Sequence, residues 1–156
     1  MEDRRGPGAV QVVEVRSPSP AVLAALRRLV PQLSSSAKAL EEGDVEALVR
    51  AESSRLLVAT AGSGDDDEIV GTLTLVVYRL PTGRRAIIED VVVDEAMRGR
   101  GIASALVAEA LRFAEAEGAR HVDLTSRPER EAANRLYVSL GFRQRETNVY
   151  RYELES

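Results

Sequence analysis

Cysteine is missing from the 156-residue chain and histidine occurs once. The first absence excludes disulfides, thiolate metal ligands and a cysteine nucleophile, and the two together leave no zinc cluster of the usual kind. Metal-dependent and cysteine-based covalent catalysis are therefore disfavoured, and no metal site is expected. No run approaches the ~20 apolar residues of a membrane-spanning helix, and no apolar segment of a secretion signal follows the charged, Gly/Pro-containing residues 1–8. A soluble, cytoplasmic protein without a membrane partner is expected. A basic block is lacking too. The 21 Lys and Arg are interspersed with 25 Asp and Glu for a net charge of −4, so no electrostatic footprint for a nucleic-acid backbone exists. Internal repeats, low-complexity tracts and a composition shift that would mark a second domain are also absent.

What is present suits one domain that buries roughly 70% of its unfolded surface, spanning residues 10–156 behind a flexible tail at 1–9. Val10, Val12, Val13 and Val15 form a β-branched run that stops at Ser17-Pro18-Ser19-Pro20, where Ser19 can cap a helix and Pro20 fits its first turn. Val22, Leu23, Leu26, Leu29 and Val30 then make one helical stripe closed by Pro31, and Val45, Leu48 and Val49 a second behind the expected cap Asp44. Strands are predicted over 56–60 and 69–78, joined by the polar turn Gly62-Ser63-Gly64-Asp65-Asp66-Asp67, and again over 86–93. A long helix over 99–117 ends at Gly118, a strand follows at 121–125, and a helix opens at Pro128 and runs to Leu140 before Gly141. Strands at 142–145 and 149–154 complete the expected order βααβββαβαββ, a mixed α/β (α+β) fold with helices on a sheet.

The informative stretch is Val91-Val92-Val93-Asp94-Glu95-Ala96-Met97-Arg98-Gly99-Arg100-Gly101-Ile102-Ala103-Ser104. A strand here feeds a short loop and a helix start. Gly99 and Gly101 let backbone N–H groups approach a ligand with no Cβ in the way, and the helix N-terminus adds about half a positive charge. Such a site suits a phosphate or pyrophosphate, to which Arg98 and Arg100 can add charge-assisted hydrogen bonds. Ile102, Leu106, Ala110 and Phe113, with Ala103, Val107, Leu111 and Ala114, give the helix a wide buried face that fixes its N-terminus. Two other phosphate motifs fit less well. The Gly-Lys-Ser/Thr of a P-loop is absent, and a dinucleotide fingerprint would want glycine or alanine where Ser104 stands.

Arg98-x-x-Gly101-x-Ala103 after an apolar strand resembles the acyl-CoA pyrophosphate loop of the GNAT acetyltransferase superfamily. Downstream, Asn134-Arg135-Leu136-Tyr137-Val138-Ser139-Leu140-Gly141-Phe142 resembles the second signature of that superfamily, an Asn-x-x-Tyr helix ending in Gly-Phe. The resemblance extends over about residues 10–154, because the order of elements matches as well. It implies a mostly antiparallel sheet of six to seven strands and acetyl-CoA as cosubstrate. It implies also that strands 86–93 and 121–125 splay apart, so that the pantetheine arm pairs with the main chain around Val91, Val92 and Val93. Arg98, Gly99, Arg100, Gly101, Ile102, Ala103 and Ser104 would hold the pyrophosphate, and Asn134 would contact coenzyme A. Tyr137, three residues on and on the same helix face, would lie near the thioester sulfur.

The chemistry asks for matching parts. An alkylammonium with an ordinary pKa of ~10.4 must lose a proton before it attacks a thioester, and the departing thiolate benefits from an acid. Tyr137 is the candidate acid. Glu89 is the candidate base, directly or through water, because its carboxylate interrupts the apolar strand that feeds the loop, while strict alternation sends Asp90 to the other face. Ile88-Glu89-Asp90 resembles the same stretch in superfamily members that acetylate glucosamine 6-phosphate. His121 opens a strand and reads as structural or surface. The expected activity is acetyl transfer to a primary amine, of a small molecule since no docking domain is attached, with homodimer formation left open. The rivals are a non-catalytic acyl-CoA-binding or sensing domain, a protein lysine or N-terminal acetyltransferase, and a nucleotide-binding module using the same loop.

Overall fold

The computed structural model describes residues 10–62 and 68–155. The tail expected at 1–9 and residues 63–67 of the expected acidic turn lie outside that range. The chain divides into two compact units, Met1–Thr125 and Ser126–Ser156. The first runs β1 (Val10–Glu14), α1 (Pro20–Leu33), α2 (Glu42–Arg50), β2 (Ser54–Ala61), β3 (Glu68–Leu80), β4 (Gly83–Val93), a 3₁₀ turn (Glu95–Met97), α3 (Ile102–Ala116) and β5 (Val122–Asp123). The second contains α4 (Glu131–Ser139).

The strands form one five-stranded sheet in the order β1-β2-β3-β4-β5. β1 to β4 pair antiparallel in sequence, and β5, returning after α3, is parallel to β4. Cross-strand partners show which face each residue serves. Leu56, opposite Thr74, joins Val22, Leu26 and Val45 in a cluster under α1 and α2. Ala59, of opposite parity, pairs with Gly71, where a Cβ would come within 3.2 Å of Ile102 Cγ2 and Leu106 Cδ1 of α3. Glycine at 71 thus lets α3 settle close against the sheet. Helices cover both faces, which is why Leu56, Leu57, Val58 and Ala59 are all buried in one unbroken run. Among the described residues no helix is long and apolar enough to cross a membrane.

Local signals account for most boundaries. Ser19 Oγ accepts from Val22 N–H at 3.2 Å and starts α1. The end of α3 is a Schellman motif: Gly118 is left-handed at φ 77°, and the N–H groups of Ala119 and Gly118 donate to Ala114 O and Glu115 O. Several boundaries depart from the sequence reading, among them the start of α3 at Ile102 rather than 99 and the reduction of the strand expected over 121–125 to Val122–Asp123. α1 continues through Pro31 to Leu33 instead of closing there. Asp44 is not the cap of α2 but its third residue, and its carboxylate accepts from Glu41 N–H at 2.8 Å. α4 begins at Glu131, because Pro128 and Glu129 form a turn first.

The larger correction concerns the C-terminus. Residues 142–145 and 149–154 carry no strand, so among the described residues the sheet has five strands where six to seven were expected. Val149, Tyr150, Tyr152 and Leu154 are 75–88% exposed. β-propensity alone does not make a strand, since a β-prone segment gains its backbone pairing only from a ladder.

Away from the β4–α3 corner, Arg55 on β2 joins β1 to the end of α3. Its guanidinium donates to Glu14 at 2.8 and 2.9 Å and to Glu117 at 2.5 Å, and lies 5.0 Å from the centre of the Phe113 ring. The hydrogen bond to Glu117 raises the Arg55 pKa above its ordinary value against the opposing effect of burial. Arg55→Met would leave two half-buried carboxylates with no cation between them. The expected cost is about 2 kcal/mol, below the ~3–5 of a fully buried pair because these side chains are partly solvated. Calorimetry should show a Tm lower by roughly 4–8 °C, and an unchanged Tm would mean that solvent already screens the network.

Candidate functional site

β4 carries an irregularity that ordinary strand alternation does not produce. Thr74 pairs with Glu89 and Thr72 with Val92, so Leu73 of β3 stands opposite two residues of β4, Asp90 and Val91. This is a β-bulge, and Asp90 takes its strain at φ 51°. Aspartate is one of the few side chains that visit this region at modest cost. The bulge also undoes the parity expected of Asp90. Glu89 and Asp90 are both exposed, whereas Ile88 and Val92 on either side are buried.

The bulge changes which edge the backbone addresses. Before it, Ala86 N–H donates to His121 O on β5, so even-numbered residues face β5. After it, Asp94 N–H donates to Val70 O on β3 at 2.8 Å, so even-numbered residues face β3 and the N–H and C=O groups of Val91 and Val93 face the opposite edge. β5 does not occupy that edge. Its register with β4 ends at Ile87–Asp123, and residues 88–93 run on beyond it. The two strands thus part after two pairs, leaving main-chain donors and acceptors directed outward from Val91 and Val93. His121 itself is exposed, with Nε2 3.6 Å from an Asp123 carboxylate oxygen.

At the end of that edge the chain turns through Glu95–Met97 into Arg98, Gly99, Arg100 and Gly101, all four exposed. Gly99 and Gly101 are left-handed, at φ 78° and 76°. A Cβ built on either meets no atom within 4 Å, so these glycines are required by backbone conformation and border open space. Gly101 is the N-cap of α3 and has no side chain with which to cap it. Orphan N–H groups of the first helical turn, at Ile102, Ala103 and Ser104, gather there with the positive end of the helix dipole. Ile102, Leu106, Val107, Ala110 and Ala114 bury the helix behind them; Phe113, Leu111 and Ala103 are half-buried. The donor set suits an anionic, phosphorylated ligand whose extended portion carries amide groups.

In the second unit, Asn134 and Tyr137 both lie on α4. Asn134 Nδ2 donates to Arg127 O at 3.0 Å, tying the helix to the segment before it. Tyr137 is 8% exposed and meets Phe142 edge-on, with ring centres 5.9 Å apart. Burial raises the pKa of its phenol above the ordinary value, and the nearby Arg130 charge pulls it partly back. A phenol held this way keeps its proton throughout the neutral range and can only donate there. The bulge at Asp90 was missed in the sequence. The signal that could have found it is an aspartate at a core-parity position of an apolar strand.

A sequence model described as the acetyltransferase (GNAT) family matches residues 23–142. No curated protein matches the chain. Among solved structures, a transcriptional regulator from Bacillus halodurans C-125 is 27% identical at a TM-score of 0.76, covering 93% of this chain and 100% of its own. A putative acetyltransferase from Agrobacterium tumefaciens is 25% identical at a TM-score of 0.78, covering 92% and 99%. The aminoglycoside N-acetyltransferase AAC(6′)-Iy in complex with CoA shares the fold at a TM-score of 0.78 and 20% identity, covering 97% and 99%. With the family matched over most of its length, the chain belongs to the acetyltransferase (GNAT) family.

Proposed function

We propose that the protein transfers the acetyl group of acetyl-CoA to the primary amine of a small molecule, directly, with both substrates bound at once. The observation that carries this is the outward-facing edge at Val91 and Val93, which leads into a left-handed glycine loop at a helix N-terminus. An arm of amides ending in a pyrophosphate fits that sequence of donors better than a nucleotide triphosphate does, since ATP has no extended run of amides to lie along a strand edge. Acetyl-CoA supplies the activated thioester. Main-chain groups of Val91 and Val93, flanking Val92, hold its pantetheine portion, and the Arg98–Ser104 segment holds its phosphates. Asn134 adds a contact to the cofactor. Glu89 accepts the proton of the incoming ammonium, directly or through water, and Tyr137 donates a proton to the departing sulfur.

For the acceptor, the aminoglycoside N-acetyltransferase among the structural neighbours supports testing amino sugars first. A panel of aminoglycosides, amino sugars, polyamines, amino acids and peptides, assayed for CoA release, tests both activity and class. A thermal-shift comparison of acetyl-CoA with ATP tests the ligand independently of turnover. A second reading, an acyl-CoA sensing domain without catalysis, is favoured by the neighbour described as a transcriptional regulator. Stabilisation by acetyl-CoA with no CoA release from any amine would select it.

Glu89 is exposed beside the bulge, so water competes with it as base. Glu89→Gln is expected to lower turnover roughly tenfold near neutral pH, less than the ~10²-fold usual for a general base, and to recover as pH rises toward ~10.4 and the amine arrives deprotonated. A pH–rate profile that overlays the wild type would assign the base role to water.

A further inference from the structure

The glycine loop is held at its far end by buried Ile102 and Leu106 of α3, but its near end, from Asp94 to Met97, includes the exposed Glu95 and Ala96. Two side chains of α1 meet that near end. Gln32 Oε1 accepts from Glu95 N–H at 2.9 Å. Arg28 donates to Ile69 O, and its guanidinium lies 3.5 Å from Asp94 Oδ2 and 3.6 Å from Glu68 Oε1. Asp94 is the joint of the turn. Its N–H donates to Val70 O, its C=O accepts from Met97 N–H, and its Oδ1 accepts from Ala96 N–H at 3.2 Å. With Oδ2 beside Arg28, the carboxylate is oriented from two sides at once.

We propose that Arg28 and Gln32 are positioning residues for the anion loop, acting through Asp94 and Glu95 to present the main-chain donors of residues 98–101 in one arrangement. This rests on the reading of that loop as the phosphate site of acetyl-CoA. The physical need comes from the loop itself: two left-handed glycines in four residues make it permissive, and donors that must be ordered on binding weaken the complex. α1 is the only helix whose side chains reach this turn among the described hydrogen bonds. It packs on β3 and β4, so the orientation of the loop is tied to a helix that is not part of it.

The test compares Gln32→Leu, Gln32→Glu and Arg28→Met with the wild type and with Gly101→Val. Gln32→Leu removes the acceptor for Glu95 N–H, and Gln32→Glu keeps one. Loss of one such hydrogen bond corresponds to about fivefold weaker binding. The expected result is acetyl-CoA affinity lower by that factor in Gln32→Leu and by about tenfold in Arg28→Met, where a charged partner is lost. Gln32→Glu should stay close to the wild type, and kcat at saturating acetyl-CoA should be retained in all three. Amide hydrogen exchange over residues 95–101 of the free protein should quicken in Gln32→Leu and Arg28→Met alone. A purely structural role would instead lower Tm without a selective change in affinity or local exchange. Affinity within twofold of wild type in both variants, with Gly101→Val still abolishing binding, overturns the positioning role. A wild-type protein that fails to bind acetyl-CoA, or a Gly101→Val protein that binds it normally, overturns the loop reading beneath it.

Discussion

Tyr137→Phe is expected to lower kcat by about 10²–10⁴-fold while the affinity for acetyl-CoA stays near that of the wild type. The substitution removes one hydroxyl and keeps the ring that meets Phe142 edge-on, so packing is preserved while the proposed acid is lost. The raised pKa of the phenol has a definite pH consequence. The acid form persists beyond the ordinary value of ~10, so the alkaline limb assigned to Tyr137 in a kcat profile should lie above it. The same shift enters stability. A group whose folded pKa is raised contributes fully below the unfolded value, ~10, and that contribution is lost as pH rises through the folded one. Tyr137→Phe should remove this alkaline loss of Tm. Steady-state kinetics with the best amine of the panel decide the matter, with Asn134→Ala as a control that should weaken acetyl-CoA binding more than it slows turnover. Turnover of Tyr137→Phe within about twofold of wild type would mean that the thiolate takes its proton from solvent or from the amine.

Gly101→Val should abolish acetyl-CoA binding, for two reasons that can be separated. Valine is strained at φ 76°, where β-branched residues are genuine outliers. Its side chain would also enter the open space beside the α3 N-terminus, since even a Cβ there meets no protein atom within 4 Å. Gly101→Ala carries the backbone strain, about 1–2 kcal/mol, with far less bulk. Calorimetric titration of both variants therefore separates what any Cβ costs at this backbone from what the branched side chain adds: equal losses assign the effect to the backbone, and a loss in valine alone assigns it to the side chain. Unchanged affinity in a folded Gly101→Val protein would remove the phosphates from this loop.

Elements that depend on local chemistry were legible in the sequence. Ser19 starts α1, Gly118 ends α3 in a Schellman motif, and the apolar stripe of α3 supplies its buried face. Features set by partners were not. Pro31 marks a stop by its missing N–H, yet α1 lasts two residues longer. Asp44 and Glu41 are both chemically able to cap, and only the backbone arrangement shows that Asp44 serves from inside the helix. Tyr150, Tyr152 and Leu154 alternate as a strand does, but a strand needs a neighbour, and that segment has no ladder. In the candidate site, Gly99 and Gly101 were singled out for close approach to a ligand, and the left-handed backbone that also demands them is visible only in the structure. The outward edge at Val91 and Val93 was expected only from the family resemblance, because three consecutive valines carry no mark of which way their amides point.

The bulge at Asp90 makes the length of β4 a matter of parity. Between Thr72 and Thr74 the sheet spends one residue on β3, and between Glu89 and Val92 it spends two on β4. Were Asp90 instead paired regularly with Leu73, the ladder would have no bulge and no left-handed residue to accommodate. Every main-chain group from Val91 onward would then exchange edges, turning the valine amides inward to β3 and leaving Val92 to address the far side. The sequence would be the same and the fold would lose a point of strain. The bulge at Asp90 thus decides which of the three valines turn their amides away from β3.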